Sequence, residues 1–156
     1  FSILLKEDAK HTACVIGFIG KQLYRRADKL SMWFRQSKLP SVAANRKHLY
    51  LQGGLGTWYQ PNSLNAKFID HSAFSSIVPG RGSDIWFWAA AVAANSNQVC
   101  IASKAHSRLY IPIPQTKETA PRETPGADAL DQRFQKAIDF FGIREKLIRE
   151  LPDRSE

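Results

Sequence analysis

The chain has 156 residues and a mass of 17.6 kDa, a size typical of one domain. Hydrophobic residues make up 44% and charged residues 23% of the sequence, which excludes a disordered tail, a collagen-like chain and a disulfide-rich miniprotein. The formal net charge of +8 is uneven, since residues 1–60 hold ten basic and only three acidic side chains. A basic half attracts phosphates, nucleic acid or anionic lipid, or forms one part of a larger surface.

The cysteines and the apolar runs carry further expectations. Cys14 and Cys100 lie in apolar stretches, so we expect buried free thiols, since two cysteines give no disulfide framework. The longest uncharged apolar run, 85–94, has ten residues, whereas a bilayer requires about twenty, so we expect no transmembrane helix. Charges at 6–8 interrupt the first apolar stretch, which argues against a signal peptide. The chain opens with Phe1 inside a helix-like pattern, and we expect a fragment or a processed product.

The N-terminal part predicts short strands between irregular segments. Residues 2–10 contain no helix breaker and predict a helix. The β-branched apolar run at 13–18 predicts a buried strand. Segment 23–33 fits either a strand or an exposed irregular segment, the polar residues 40–47 predict a loop, and Leu49–Leu51 predicts a short strand.

A glycine-rich segment comes next. Three glycines within 53–56 allow positive φ and let another group approach the backbone closely. Residues 57–60 predict a strand, because the sequence there is aromatic and is followed by proline. We expect a short helix within 65–76 and a turn at 79–82, where proline and glycine alternate with polar residues.

The following segment predicts a buried helix packed beneath the sheet. Ser83 is a good N-cap residue, and Asp84 favours the positive end of the helix dipole. Residues 84–95 are apolar on all sides, which is typical of a helix surrounded by other elements. Residues 98–102 are rich in Val and Ile and predict a further strand.

The C-terminal part predicts a loop and a helical pair. Four prolines mark 112–126 as a long surface loop. Residues 128–152 follow a helical pattern that Gly142 breaks into two pieces. We therefore divide the chain into a main α/β part at 1–111, the Pro-rich loop, and a helical segment at 127–156 that packs on the main part.

The sequence lacks the short motifs of several enzyme classes. His11, His48, His71 and His106 are scattered without metal-ligand spacing, so we expect surface or packing roles for them. No Walker motif, nucleophile elbow or dinucleotide fingerprint occurs. The glycines at 53–56 also lack the following helix that a phosphate cradle needs.

A more specific feature is a pair of segments. The glycine-rich segment leads into Tyr59, and the second segment, further along the chain, begins the predicted helix with Asp84. A carboxylate at a helix N-terminus accepts backbone N–H bonds, which favour its ionised form and fix its direction. An ionised carboxylate beside aromatic rings suits a general base for a sugar hydroxyl. The alternative from the residues alone is that Ser83 and Asp84 only cap the helix, while Trp86 and Trp88 are only core.

The same two segments resemble the second half of bacterial family 2 glycosyltransferase-type domains. That group carries Gly-x-x-Gly-x-x-Tyr-Pro-Pro-x-x-Leu, then Pro-x-x-Asp-Asp-Ile-Trp-Phe before a small-residue helix that ends in Asn. The chain matches these motifs at Gly53, Gly56, Tyr59, Pro61, Leu64, Asp84, Ile85, Trp86, Phe87 and Asn95, and Pro79 stands one residue further upstream than the proline of the second motif. Residues 131–141 resemble the closing helix of the group, and a looser similarity extends from about Cys14 to Leu147.

The resemblance implies a GT-A-like α/β fold, with a partial mixed sheet and flanking helices. It also implies transfer of a sugar from a nucleotide-sugar donor to a saccharide or lipid-linked acceptor. Asp84 matches the second acidic position of the family's acidic pair, and it would deprotonate the acceptor hydroxyl for an inverting displacement. Gly53, Gly56 and Tyr59 would approach the acceptor, and Trp86 would wall the same pocket.

Two departures from the family pattern matter for function. Ser83 stands at the first acidic position, where it would contact the acceptor side without adding charge. The nucleotide-binding strand and the metal-holding Asp-x-Asp segment of the family would precede Phe1, and no Asp-x-Asp occurs in the chain. The resemblance thus implies divalent Mn or Mg for the complete enzyme, no cofactor held by this chain, and an inactive isolated chain.

Three other interpretations remain open from the sequence. A non-catalytic module that binds a saccharide or a protein agrees with Ser83 in place of an acid. A nucleic-acid binder would use the basic residues of 1–60, but no known nucleic-acid motif is present, and we expect no nucleic-acid partner. The same basic face is suited to peripheral contact with an anionic membrane. We expect a cytoplasmic location, with such contact at the inner membrane face.

Overall fold

A computed structural model gives the arrangement of most of the chain. The residues that the structure describes are 13–18, 20–36, 44–46, 48–51, 56–80, 82–101 and 127–154. The helix predicted at 2–10 and the loop predicted at 112–126 lie outside the described residues, and so does Gly53.

The described strands form two small sheets. They are β1 (Cys14–Gly17), β2 (Gly20–Leu23), β3 (Arg35–Gln36), β4 (Ala44–Arg46), β5 (Leu49–Leu51), β6 (Thr57–Tyr59) and β7 (Asn97–Cys100). One sheet has the order β4-β7-β1-β6, in which β1 runs parallel to β7 and antiparallel to β6. The other sheet has the order β3-β2-β5 and is antiparallel.

Four α-helices accompany these sheets in the described part of the chain. They are α1 (His71–Ile77), α2 (Ser83–Ala93), α3 (Ala127–Phe140) and α4 (Arg144–Glu150), and a 3-10 helix at Ala66–Ile69 precedes α1. The sheet of β4, β7, β1 and β6 contains both parallel and antiparallel pairs. The expected mixed α/β class is therefore confirmed.

The central strand β1 lies inside the molecule. All four of its residues are buried, which explains why its sequence is a continuous apolar run. Its parallel neighbour β7 carries three buried residues in succession. Cys14 in β1 and Cys100 in β7 are both buried free thiols, as the sequence predicts.

The prediction of a loop at 40–47 is wrong for the part of that segment that the structure describes. Ala44–Arg46 form β4, which pairs antiparallel with β7 at one end of the sheet. The backbone ladder holds this polar segment in a strand even though its side chains give no apolar alternation. For the ambiguous segment 23–33, the structure ends β2 at Leu23, and a tight turn then pairs Arg26 with Lys29.

The start of the buried helix also differs from the prediction. Gly82, not Ser83, is the N-cap residue of α2, and Ser83 is the first helical residue. Gly82 has a φ of 99°, in the left-handed region that glycine adopts without steric cost. The chain therefore turns into the helix one residue earlier than the serine rule indicates.

Helix α2 is surrounded by other elements, as its composition predicts. The buried side chains of α2 are Ile85, Trp86, Trp88, Ala89, Ala90, Ala91 and Val92. The Trp86 ring stacks on Phe140 at 5.1 Å and meets the edge of Phe141 at 4.8 Å between centroids. Its indole Nε1 donates a hydrogen bond of 3.0 Å to the Phe68 carbonyl. Trp86 thus joins α2 to the 3-10 helix and to α3.

The C-terminal helices cover α2, and they are divided as the sequence predicts. Gly142, with a φ of 66°, stands between α3 and α4. Phe134, Ile138 and Leu147 are fully buried in the cluster that contains α2. Lys146 Nζ donates to the Val92 carbonyl at the end of α2, over 2.8 Å. None of the described helices is long and apolar enough to cross a bilayer.

We predict that Trp86→Ala lowers the free energy of unfolding by about 3–5 kcal/mol, because it removes a fully buried ring and leaves the Phe68 carbonyl unpaired. Denaturant unfolding followed by circular dichroism measures the loss. Trp33→Ala is the matched control, since Trp33 is 40% exposed, and it should cost less than about 1 kcal/mol. Equal losses in the two variants would contradict the packing described here.

Candidate functional site

The first turn of α2 holds the acidic residue that the sequence singled out. Asp84 is the acidic residue of that turn, and it is half-buried. The unpaired N–H groups and the dipole of a helix N-terminus favour a carboxylate in its ionised form. The positive φ of Gly82 sets where this turn begins. Asp84 is therefore a carboxylate whose backbone position is set by the start of a buried helix.

Strand β6 brings Tyr59 to the same place. Tyr59 pairs with Val15 of β1, so its position follows from the register of the sheet. Its ring lies 5.4 Å from the ring of Phe87, tilted by 44°. Phe87 follows Asp84 by three residues on α2, so the two lie on neighbouring positions of one helix face. Residues far apart in the chain thus meet where β6 faces the start of α2.

Burial and the charge of the Asp84 carboxylate both affect the pKa of the Tyr59 phenol. Burial, and secondly the negative charge of Asp84, raise the pKa of Tyr59 to about 12. Both causes disfavour a phenolate, so Tyr59 is a neutral hydroxyl at physiological pH. The site therefore combines one carboxylate with one protonated phenol, beside an aromatic ring.

The other predicted site residues are placed differently. Gly56 directly precedes β6, with a φ of 99°, and a Cβ there would stand 3.7 Å from the Phe18 ring. Ser83 is exposed at the start of α2. Trp86 has no exposed surface and packs in the core, so Phe87 is the aromatic residue beside Tyr59. The structure thus places Tyr59 close enough to Asp84 for the charge of the carboxylate to act on the phenol, and it places Gly56 directly before the strand that carries Tyr59.

A small cavity lies between the sheet and α2, next to this pair. Tyr59, Phe87, Trp88 and Gln98 line it, together with apolar side chains from β1, β5 and α2. Sequence reasoning missed Phe87, Trp88 and Gln98 as site residues. The available signal was a glutamine within an apolar strand, because an amide is seldom fully buried and is usually hydrogen-bonded when it is.

The resemblance implies a divalent metal for the complete enzyme and none held by this chain. Among the described residues, no group of three His, Cys, Asp or Glu side chains is arranged to hold a metal ion. The histidine that is most buried there, His48, pairs through Nε2 with Glu150 at 2.9 Å and links β5 to the end of α4. Its role in this structure is to join two elements.

Comparison with known proteins adds no relative. No protein-family model, no curated protein and no solved structure matches the chain. The resemblance to family 2 glycosyltransferases therefore depends on the sequence motifs alone. The geometry of Asp84, Tyr59 and Phe87 stands independently of it.

The raised pKa of Tyr59 predicts a loss of stability at high pH. A tyrosine ionises near pH 10.0 in the unfolded chain and near about 12 in this site, so the folded state holds the proton more tightly. This contribution is fully present below pH 10.0 and is lost as the pH rises through about 12. Denaturant titrations across that window should show stability falling; a constant value would contradict the buried phenol.

We also predict that Asp84→Asn lowers the pKa of Tyr59, because the substitution removes a nearby negative charge. The pKa should stay above 10.0, since burial is the larger cause of the shift. A pH titration of the tyrosine ring carbons by NMR measures it. Asp128→Asn, in the first turn of α3, is the matched control and should leave Tyr59 unchanged. Identical titration of Tyr59 in both variants would contradict the proximity of the two groups.

Proposed function

We propose that this chain is the acceptor-side part of a glycosyltransferase-like domain. The domain would transfer a sugar from a nucleotide-sugar donor to a saccharide or lipid-linked acceptor, with Asp84 as general base. The observation that carries the proposal is that Tyr59 packs against Phe87, three residues after Asp84 on the first turns of a buried helix, where the charge of Asp84 contributes to the raised pKa of Tyr59. The matching motifs in the two segments support the same assignment.

The proposed step needs one positioned carboxylate. Asp84 takes the proton of an acceptor hydroxyl as the oxygen forms a bond to the anomeric carbon of the donor sugar. The bond from that carbon to the nucleoside diphosphate breaks, and its electron pair leaves with the diphosphate. Attack from the opposite side inverts the anomeric configuration. A general base of this kind contributes about 10²–10⁴-fold to the rate.

Tyr59 and Phe87 have roles in acceptor binding under this proposal. The protonated phenol of Tyr59 donates a hydrogen bond to an acceptor oxygen, and its raised pKa keeps that proton in place. The half-buried ring of Phe87 offers apolar contact to the C–H side of a sugar. The two rings are already packed together at 5.4 Å, so binding need not reorganise them.

The proposal gives no residue of this chain a role in binding the nucleotide-sugar donor or its metal. The described residues do not fit a divalent ion, and the sequence has no Asp-x-Asp, so we derive no step through a metal. The proposal for this chain is limited to the acceptor hydroxyl, the base and the groups that surround them.

The test measures transfer by the natural gene product that contains this chain, with nucleotide-sugar donors and saccharide acceptors. Asp84→Asn should lower kcat by at least about 100-fold, because the amide cannot accept the proton. Asp128→Asn makes the same substitution in the first turn of α3, where the side chain is exposed. This control should keep the activity. The loss of stability in Asp128→Asn should be small and similar to the loss in Asp84→Asn.

A second function is favoured by one observation, the exposed Ser83 in place of the first acid of the family motif. Without that acid, the same surface would bind a saccharide or a protein without catalysis. Transfer that survives in Asp84→Asn would contradict the assignment of Asp84 as the base. A gene product that binds saccharides and transfers none would contradict the catalytic proposal and favour the binding module.

A further inference from the structure

The excess positive charge of the described residues is concentrated in the hairpin of β2 and β3 and in the C-terminal residues that pair with it. Residues 20–36 and 152–154, which we call the basic hairpin, hold six basic and two acidic side chains. The other described residues hold seven basic and seven acidic side chains, so they are neutral as a whole. A charge separation of this kind attracts anionic partners to one part of a molecule.

Backbone hydrogen bonds fix the shape of the basic hairpin. Strands β2 and β3 are antiparallel, and two bonds of 3.1 and 2.9 Å close the tight turn between Arg26 and Lys29. The Arg25 N–H donates to the Pro152 carbonyl, and the Arg154 N–H donates to the Arg25 carbonyl. The C-terminal residues are therefore bound along the hairpin, and they add one more cation to it.

Two carboxylates next to this turn are used to hold the hairpin. Asp131 of α3 accepts from the Ser31 hydroxyl at 2.7 Å and from the Met32 N–H at 2.8 Å. Asp153 pairs with the Arg25 guanidinium at 2.6 Å. These acids stabilise the hairpin and its link to α3, and the exposed cations at the tight turn have no ion pair among the described residues.

Aromatic rings hold two of the exposed arginines against the hairpin. The rings of Tyr24 and Phe34 stack at 5.9 Å between centroids. The Arg26 guanidinium lies over Phe34 at 4.7 Å and over Tyr24 at 5.9 Å, and the Arg154 guanidinium lies over Tyr24 at 5.2 Å. A guanidinium that stacks on a ring keeps its N–H donors at the edge of its plane, where they suit phosphate oxygens.

An exposed tryptophan directly precedes this stack in the chain. Trp33 is 40% exposed, and it lies in a turn that a hydrogen bond of 3.1 Å from the Phe34 N–H to the Ser31 carbonyl closes. Tryptophan is enriched where proteins meet the headgroup layer of a bilayer, because its ring is apolar and its N–H is polar. Exposed tryptophan together with excess cations is therefore suited to the surface of an anionic bilayer.

The same features suit nucleic acid less well. Proteins that bind single strands offer successive aromatic faces to the bases, whereas the Tyr24 and Phe34 rings stack on each other and guanidinium groups lie over them. Only Trp33 remains as an exposed ring of the hairpin. A two-stranded ribbon can enter the major groove of DNA, but β2 is paired with β5 as well as with β3. The observations thus favour a membrane.

We propose that the basic hairpin is a docking surface for an anionic lipid bilayer. Arg26, Lys29 and Arg154 bind lipid phosphates, and the Trp33 ring enters the headgroup layer. This inference does not depend on the proposed function, because it uses no residue of the Asp84 site. It places the membrane contact at one hairpin rather than over the whole basic half of the sequence.

The first test is flotation of the full chain with vesicles of phosphatidylcholine alone or mixed equally with phosphatidylglycerol. The chain should float with the mixed vesicles only, and it should dissociate at 1 M salt, where the Debye length is about 3 Å. Equal binding to both kinds of vesicle, or binding that salt does not weaken, would overturn the proposal. So would the absence of binding to the mixed vesicles.

Charge variants locate the contact. Each basic side chain at an anionic membrane contributes about fivefold to binding, so Arg26→Gln combined with Lys29→Gln should lower the affinity about 25-fold. Lys136→Gln combined with Arg149→Gln is the matched control, because it removes the same charge from exposed positions on α3 and α4. The control should keep most of the affinity. Equal losses in the two double variants would contradict a contact at the hairpin.

Quenching by brominated phosphatidylglycerol tests the tryptophan separately. Wild-type fluorescence should fall on the brominated vesicles, and Trp33→Phe should abolish that fall because it removes the inserted indole. Trp58→Phe is the matched control, since Trp58 is a half-buried tryptophan on β6, and it should keep the quenching. Quenching that persists in Trp33→Phe would overturn the placement of this residue in the headgroup layer.

A single-stranded oligonucleotide provides the competing outcome. The proposal predicts that the oligonucleotide binds more weakly than the mixed vesicles at the same salt concentration. A chain that ignores the vesicles, but binds the oligonucleotide and loses that binding in the Arg26 and Lys29 double variant, would overturn the proposal. The basic hairpin would then be a nucleic-acid surface.

Discussion

The burial of α2 on all sides is the constraint on which the described structure depends. A helix with aromatic and small apolar residues all around gains most from neighbours on every side. The sheet strands, the 3-10 helix and the α3–α4 pair provide them, with Trp86 at the junction to the helical side. Lys146 additionally hydrogen-bonds the end of α2. Once α2 is enclosed in this way, the position of its first turn relative to the sheet is fixed.

The candidate site is a consequence of that enclosure. Asp84 lies in the first turn of α2, where the helix is only partly buried. One turn later, Phe87 packs against Tyr59 at the end of β6. The register of β6 on β1 then places Tyr59 opposite Phe87, and the register of β1 on β7 places Gln98 in the same row. Packing that stabilises the core therefore also places Tyr59 and Gln98 along one hollow, which Phe87 of α2 also lines.

Local patterns predicted the elements better than their pairing. The apolar run of β1, the enclosed helix and the break at Gly142 follow from composition and spacing, and the structure confirms them. The strand β4 and the N-cap at Gly82 were missed, because the first depends on a partner strand and the second on a backbone angle. Asp84 and Tyr59 were singled out as chemistry, but which ring stands beside them depends on helix phase, and that ring is Phe87. Gln98 was missed because the cavity that it lines is formed by five elements that are separate in the sequence.

The central claim is that strand register and helix burial bring Tyr59 against the start of α2. Nuclear Overhauser contacts in the labelled chain test it most directly, because they report which protons lie within about 5 Å. We predict contacts between the rings of Tyr59 and Phe87, whose centroids are 5.4 Å apart, together with backbone contacts between Tyr59 and Val15. A Tyr59 ring with no contacts to α2, or a β6 strand paired with β1 in another register, would contradict the account.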